Sequence, residues 1–272
     1  MSEVAILLVG NARRAEFLRA VEMLGRLGSV TEVGDAASAV EMLTSGQVVP
    51  ELIVVAQAYP HQFTHEDVER LRRAVPLARV LGLMGSWCEG EMRTGSPWPA
   101  VVRVYWHQWP GQCQRQLSLM AADESSAWCL PATATEEERL LADSCLPIQQ
   151  RSGLVAVHTR VMEMEDWLSD AMRRRGYSTV WLHPSRPVHV EGVAAALFDG
   201  SDLRGGELDE LAKLCRDLSP APVIALLDFP RIEDRRRALS AGAAAVISKP
   251  VQVEDLYWEL DQALEADASG VA

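Results

Sequence analysis

The sequence predicts two doubly wound α/β domains in tandem, each built on a parallel sheet of five strands. Three observations carry this. Short apolar runs alternate with helical stretches, and the same order of signals occurs twice. The repeat distance is roughly 145 residues, far above the ~20–50 of stacked repeats. Several runs, such as Leu52–Val55 and Val223–Leu227, are apolar at every position, which suits strands covered on both faces. The chain's 272 residues, 48% hydrophobic, suffice for two packed cores.

In the first half, strands are expected at Ile6–Val9, Val30–Val33, Leu52–Val55, Val80–Met84 and Val101–Trp106. Between them, helical patterns cover Arg13–Leu24, Ala36–Leu43 and His65–Ala74. The last is opened by Thr64, with Asp67 three residues on as a capping box. In the second half, strands are expected at Leu154–Val157, Thr179–Leu182, Ala194–Phe198, Val223–Leu227 and Ala244–Ile247. Helices are expected at Glu163–Arg175, Glu207–Leu218, Ile232–Leu239 and Val253–Ala266, with Gly176 and Gly242 as stops. Between Leu182 and Val193 the prolines 184 and 187 disfavour a helix. This arrangement gives domains at 1–120 and 151–272, joined by an acidic linker at 121–150. Thr135 and Glu138 form a second capping box there, leading into Arg139–Ala142.

Charge and cysteine content narrow the function. Residues 121–150 hold six acidic groups and one basic. A formal net charge of −12 repels a phosphate backbone, so no nucleic-acid partner is expected. The apolar run at Val4–Gly10 is too short to span a membrane, and a soluble cytoplasmic protein with no membrane partner is expected. The five cysteines form no C-x-x-C pair and are expected to be reduced thiols. Only two lysines, Lys213 and Lys249, stand among 26 basic residues. No P-loop, dinucleotide fingerprint or nucleophile–base–orienter set is present, so the protein is not expected to be an enzyme.

The stretch AGAAAVISKPVQVEDL, with Lys249 and Pro250, resembles the fifth strand and last helix of the receiver domain of bacterial response regulators (CheY-like). ALFDGSDLRGGELDEL resembles the family's third strand, whose terminal aspartate would be Asp199, and PVIALLD resembles the fourth. The first half resembles the family more faintly. PELIVVAQAYP has the shape of the third strand and puts Ala56 at the acceptor position. WHQWP keeps Pro110 and puts Trp109 at the lysine position, and ILLVGN ends in Gly10 and Asn11 where receivers carry an acidic pair. The resemblance therefore implies a degenerate receiver followed by an atypical one.

For site residues, the resemblance implies Asp199 as phosphoacceptor candidate and Lys249 as phosphate-contact candidate. Phosphoryl transfer to a carboxylate needs a cation to offset repulsion between two anions. In the family that cation is a divalent metal such as Mg2+, held by an acidic pair. Here the pair is replaced by His158 and Thr159, which weakens any Mg2+ site and leaves Asp202, Glu163 and Glu165 as substitute ligands. Leu227 stands where receivers place a hydroxyl residue, and Val246 where they place an aromatic one. His61 and His65, four apart, read as a solvated loop rather than a metal site.

Segment 85–110 is the most unusual in composition, with Trp87, Trp98, Trp106 and Trp109 among the chain's eight tryptophans. Gly90, Gly95, Pro97 and Pro99 argue for an ordered loop in place of a helix. With Arg93, Arg103 and Tyr105, the tryptophans can form a protein-contact surface. They can equally fill space left by the missing helix, or line a small-ligand pocket. The expected role is signal transduction of response-regulator type, tandem atypical receivers working by protein contact, with Asp199 as a candidate phosphorelay site. The expected partner is a histidine kinase or downstream regulator, and a homodimer is left open. The alternative is a small-ligand sensor or scaffold using segment 85–110 without phosphorylation.

Overall fold

The computed structural model describes residues 4–90, 98, 101–121, 126, 128, 130, 134–144, 148–186 and 189–270. The chain divides into two compact units, Met1–Cys145 and Leu146–Ala272.

In the first unit the strands are β1 (Val4–Val9), β2 (Gly28–Val33), β3 (Leu52–Gln57), β4 (Arg79–Met84) and β5 (Val102–Tyr105). They form one parallel sheet in the order β2-β1-β3-β4-β5. Helices α1 (Leu18–Leu27), α2 (Ala36–Thr44) and α3 (His65–Ala74) connect the strands, and α4 (Trp109–Ala121) follows β5. All six residues of β3 are buried, as a central strand covered on both faces requires. Thr64 and Asp67 make the expected reciprocal cap on α3. Helix α1 starts five residues later than expected, because residues 12–17 form turns instead. Helix α4 went unread in the sequence: its opening WHQWP reads as strand-end and turn, and Pro110 sits in the first turn, where a missing N–H costs nothing.

The segment expected as linker behaves differently. Helix α5 (Glu136–Ser144) forms with its capping box, Thr135 N donating to Glu138 at 2.7 Å and Glu138 N to Thr135 at 3.2 Å. Ahead of it, Trp128 is buried with its ring 5.9 Å from that of Trp109, and Ser126 Oγ donates to Gln116 at 2.7 Å. A large apolar ring inside an acidic stretch gains more by packing on α4 than by staying in water.

The second unit repeats the topology. Its strands are β6 (Leu154–His158), β7 (Ser178–Leu182), β8 (Val193–Asp199), β9 (Val223–Asp228) and β10 (Ala245–Lys249), in the order β10-β9-β8-β6-β7. Numbered within the unit, this is again 2-1-3-4-5. Helices α6 (Met162–Arg174), α7 (Glu207–Asp217), α8 (Ile232–Ser240) and α9 (Val253–Gly270) accompany them. Among the described residues no helix lies between β7 and β8, as the prolines predict. One face of the sheet packs Val155, Val157 and Leu197 against Leu168 of α6 and Leu256 of α9. The other packs Ala156, Ala196 and Phe198 against Leu211 of α7 and Ala238 of α8. No helix among the described residues is long and apolar enough to cross a membrane.

Candidate functional site

Asp199 ends β8, Lys249 ends β10, and Thr159 follows β6, so the parallel sheet delivers all three to its carboxyl edge. Lys249 Nζ donates to Asp199 Oδ1 at 2.8 Å, and Thr159 Oγ1 donates to Asp199 Oδ2 at 2.7 Å. Both carboxylate oxygens of Asp199 are thus engaged, and its side chain is only 9% exposed. Lys249 also reaches Asp228 Oδ1 at 2.9 Å, so one ammonium bridges two carboxylates. Asp228 was missed in the sequence. It ends β9 directly opposite Lys249 in register, but the fourth-strand pattern drew attention to Leu227, which is buried with its side chain turned into the core. Burial disfavours the Lys249 charge, yet the hydrogen bonds it donates to Asp199 and Asp228 outweigh it and hold its pKa above the ordinary value.

Thr159 is fixed from both sides. Its hydroxyl accepts from Val161 N at 3.1 Å, and its carbonyl accepts from Trp181 Nε1 at 3.0 Å. His158 points away from Asp199. Its ring stacks on Phe198 at 5.2 Å, and its Nε2 lies 3.4 Å from Glu210, which also takes Arg160 Nη2 at 2.7 Å. Burial lowers the His158 pKa below its ordinary value, with Glu210 opposing and Arg160 assisting.

The donors present do not suit magnesium. Among the described residues no group of three or more His, Cys, Asp and Glu side chains converges as a metal site. The substitute ligands expected from sequence are committed elsewhere or distant in role. Asp202 pairs with Arg204 at 3.4 Å, Glu165 accepts from Ser169 Oγ at 2.7 Å, and Glu163 is exposed in the first turn of α6. Glu207 pins the loop after Asp199 instead, accepting from Ser201 N at 2.9 Å and Leu203 N at 3.0 Å.

Register and face give the equivalent corner of the first unit. Val9 pairs with Val55 as His158 pairs with Phe198, and both Val55 and Phe198 face the helix that follows strand three, α3 in the first unit and α7 in the second. Ala56 therefore occupies the place of Asp199, as expected. Carrying the register through β4 and β5 puts Trp106, not Trp109, in the place of Lys249. Trp109 is three residues further on, inside α4, and fully buried. The acidic pair maps one residue earlier than expected, to Val9 and Gly10. Gly10 has φ +114°, and a Cβ there would lie 2.6 Å from the Ala56 carbonyl oxygen, so this backbone admits no acidic side chain.

Three of the segment's four tryptophans are core. Trp98 is buried, donates its Nε1 to Phe63 O at 3.1 Å, and meets the Phe63 ring edge-on at 6.4 Å. Gly82 of β4 makes room for it: a Cβ there would stand 3.1 Å from the Trp98 ring. Trp106 and Trp109 are also buried, and Arg103 and Tyr105 are half-buried. A contact surface built on all these residues is thereby corrected to space-filling, since large rings gain most by leaving water. Trp87 is the exception, half exposed beside Tyr59 at 6.5 Å, with Arg14 lying 4.6 Å over the Tyr59 ring. Arg93, with Gly95, Pro97 and Pro99, lies outside the described residues. His61 and His65 are both exposed.

No known family profile matches the chain, and no curated protein matches it in sequence. Solved structures do. A response regulator receiver protein from Pseudoalteromonas atlantica matches at 16% identity over 42% of this chain and 98% of its own, with a TM-score of 0.36. A CheY-like receiver domain protein from Methanospirillum hungatei JF-1 matches at 20% identity over 44% of this chain and 99% of its own, TM-score 0.39. A response regulator protein from Burkholderia pseudomallei, solved with a phosphorylated aspartic acid, calcium ion and citrate, matches at 21% identity over 43% and 72%, TM-score 0.32. At these identities the likeness is one of fold. The strand order 2-1-3-4-5, found in both units, is the order of the doubly wound CheY-like fold. In architecture, then, the chain is two doubly wound α/β units of this strand order in tandem.

Proposed function

We propose that this is a signal-transduction protein of response-regulator type that works by protein–protein contact, from a conformation held without phosphate. The observation that carries this is the closed state of Asp199, whose two oxygens are taken by Lys249 and Thr159. An acceptor in the family's chemistry needs a free oxygen and a cation to offset the incoming anion. Here the one ammonium is already shared between Asp199 and Asp228, and the metal-ligand set is absent among the described residues. In the first unit Ala56, Gly10 and Trp106 leave no nucleophile at all, so that unit serves as a pseudo-receiver. The partner in this reading is a protein, a histidine kinase or a regulator downstream of one, and the chain is not an enzyme.

The test is intact mass after incubation with magnesium and acetyl phosphate, with Asp199→Asn alongside. The expected result is no phosphate adduct on wild type and no magnesium-dependent change in Tm. An adduct on wild type that Asp199→Asn abolishes would sink the phosphate-free reading and make Asp199 a working acceptor.

A further inference from the structure

We infer that His158 is an acid-operated release for the Asp199 network: a proton taken up by its ring dislodges the ring and opens the Thr159–Asp199 hydrogen bond. This names a control on the site described above and rests on the reading of Asp199 as closed.

Strand register couples the ring to the network. His158 and Phe198 are partners across β6 and β8, and their rings stack at 5.2 Å with 15° between their planes. The residues that follow them, Thr159 and Asp199, share the 2.7 Å hydrogen bond. A shift of the stacked pair is therefore carried to the bonded pair through one peptide unit on each strand. Packing alone does not require a titratable ring here. The first unit fills the equivalent paired places with Val9 and Val55.

The ring is stable where it lies only while neutral. Its Nε2 is 3.4 Å from Glu210 Oε1, so the neutral ring keeps its proton on that side. A second proton would go to Nδ1, which is buried and has no hydrogen-bond partner. An unpaired lone pair costs less there than an unpaired donor on a charged ring. The charged groups that face His158 are Glu210 from α7, Arg160 from the loop after β6, and Asp199 at the end of β8. Glu210 already takes Arg160 at 2.7 Å and Asp199 already takes Lys249 at 2.8 Å, so both carboxylates are committed to other cations. An imidazolium is thus left without a counter-ion of its own and gains by leaving Phe198 for water.

The test is NMR of the full chain from neutral pH to the onset of acid unfolding, with His158→Phe alongside. The readouts are the His158 ring and the backbone amide of Val161, which donates to Thr159 Oγ1 at 3.1 Å. Both are expected to share one midpoint, below the ordinary 6.5 of histidine. Hydrogen exchange at the Val161 amide, corrected for its intrinsic rate, should be about tenfold faster on the acid side. His158→Phe keeps an aromatic ring on Phe198 and should leave the Val161 amide unchanged over the same range. Glu210→Gln removes an attractive charge and should shift the His158 midpoint to lower pH. A Val161 amide indifferent to the His158 midpoint, the same change in His158→Phe, or a ring still neutral when the unit unfolds would each overturn the inference. A phosphate adduct formed with acetyl phosphate would instead sink the reading of Asp199 as closed, and it would leave the titration result standing.

Discussion

The two units share one strand order and differ at one corner. In the second, Asp199, Lys249, Asp228 and Thr159 form a closed polar network at the carboxyl ends of the strands. In the first, the places of Asp199, Lys249 and Thr159 hold Ala56, Trp106 and Gly10. The fold survives because its stability comes from apolar strands buried on both faces, such as Leu52–Gln57. The polar side chains of that corner do not recur, because packing places few demands on them. Among the described residues the second unit has no helix between its second and third strands, and the first packs tryptophans into its core. Trp98 covers Gly82, and Trp109 and Trp128 pack against each other.

This contrast can be broken in several ways. The largest effect is expected from Trp109→Ala, which empties a fully buried site and should cost about 3–5 kcal/mol. Chemical denaturation should show the loss in the transition of the first unit alone. Destabilisation below about 1 kcal/mol would mean that the tryptophans are not the core they resemble.

Lys249→Met is expected to cost about 2 kcal/mol, because it strands Asp199, 9% exposed, beside a half-exposed Asp228. The same variant sharpens the pH dependence. The folded pKa of Lys249 stands above its ordinary 10.5, so its contribution is complete below that value and is lost as pH rises through the folded pKa. Wild type should therefore lose stability on the alkaline side more steeply than Lys249→Met when both are followed by urea denaturation. Parallel curves would show that the bridge does not stabilise the fold.

On the acid side, burial holds His158 below its ordinary 6.5 against the pull of Glu210 and Asp199. Its neutral form is favoured in the folded state, so stability is retained above 6.5 and declines as pH falls below it. His158→Phe should flatten that decline, and an unchanged slope would locate the acid sensitivity elsewhere. The smallest effect is expected from Asp228→Ala. Its carboxylate is half exposed, and its pairing with Lys249 should contribute about 0.5 kcal/mol. A cost near that of Lys249→Met would make Asp228, rather than Asp199, the main partner of the lysine.

Much of the architecture was legible in residue order. Alternating apolar runs and helical stretches named all ten strands found among the described residues, and Thr64 with Asp67 and Thr135 with Glu138 marked two helix starts. Helix α4 was hidden because Trp and Pro at its start carry the signals of a strand end. The juxtaposition of Asp199 with Lys249 was readable through the resemblance, whereas Asp228 and the orientation of Thr159 were not.

Local periodicity and capping depend on near neighbours, so composition and spacing along the chain sufficed to establish the α/β class and the duplication. Which oxygen accepts from which donor depends on strand register and on the face each side chain takes. So does whether a tryptophan lies in the core or in water. A one-residue shift in register exchanges the two faces, which is why Trp106 rather than Trp109 occupies the lysine's place, and no count along the sequence could have said so.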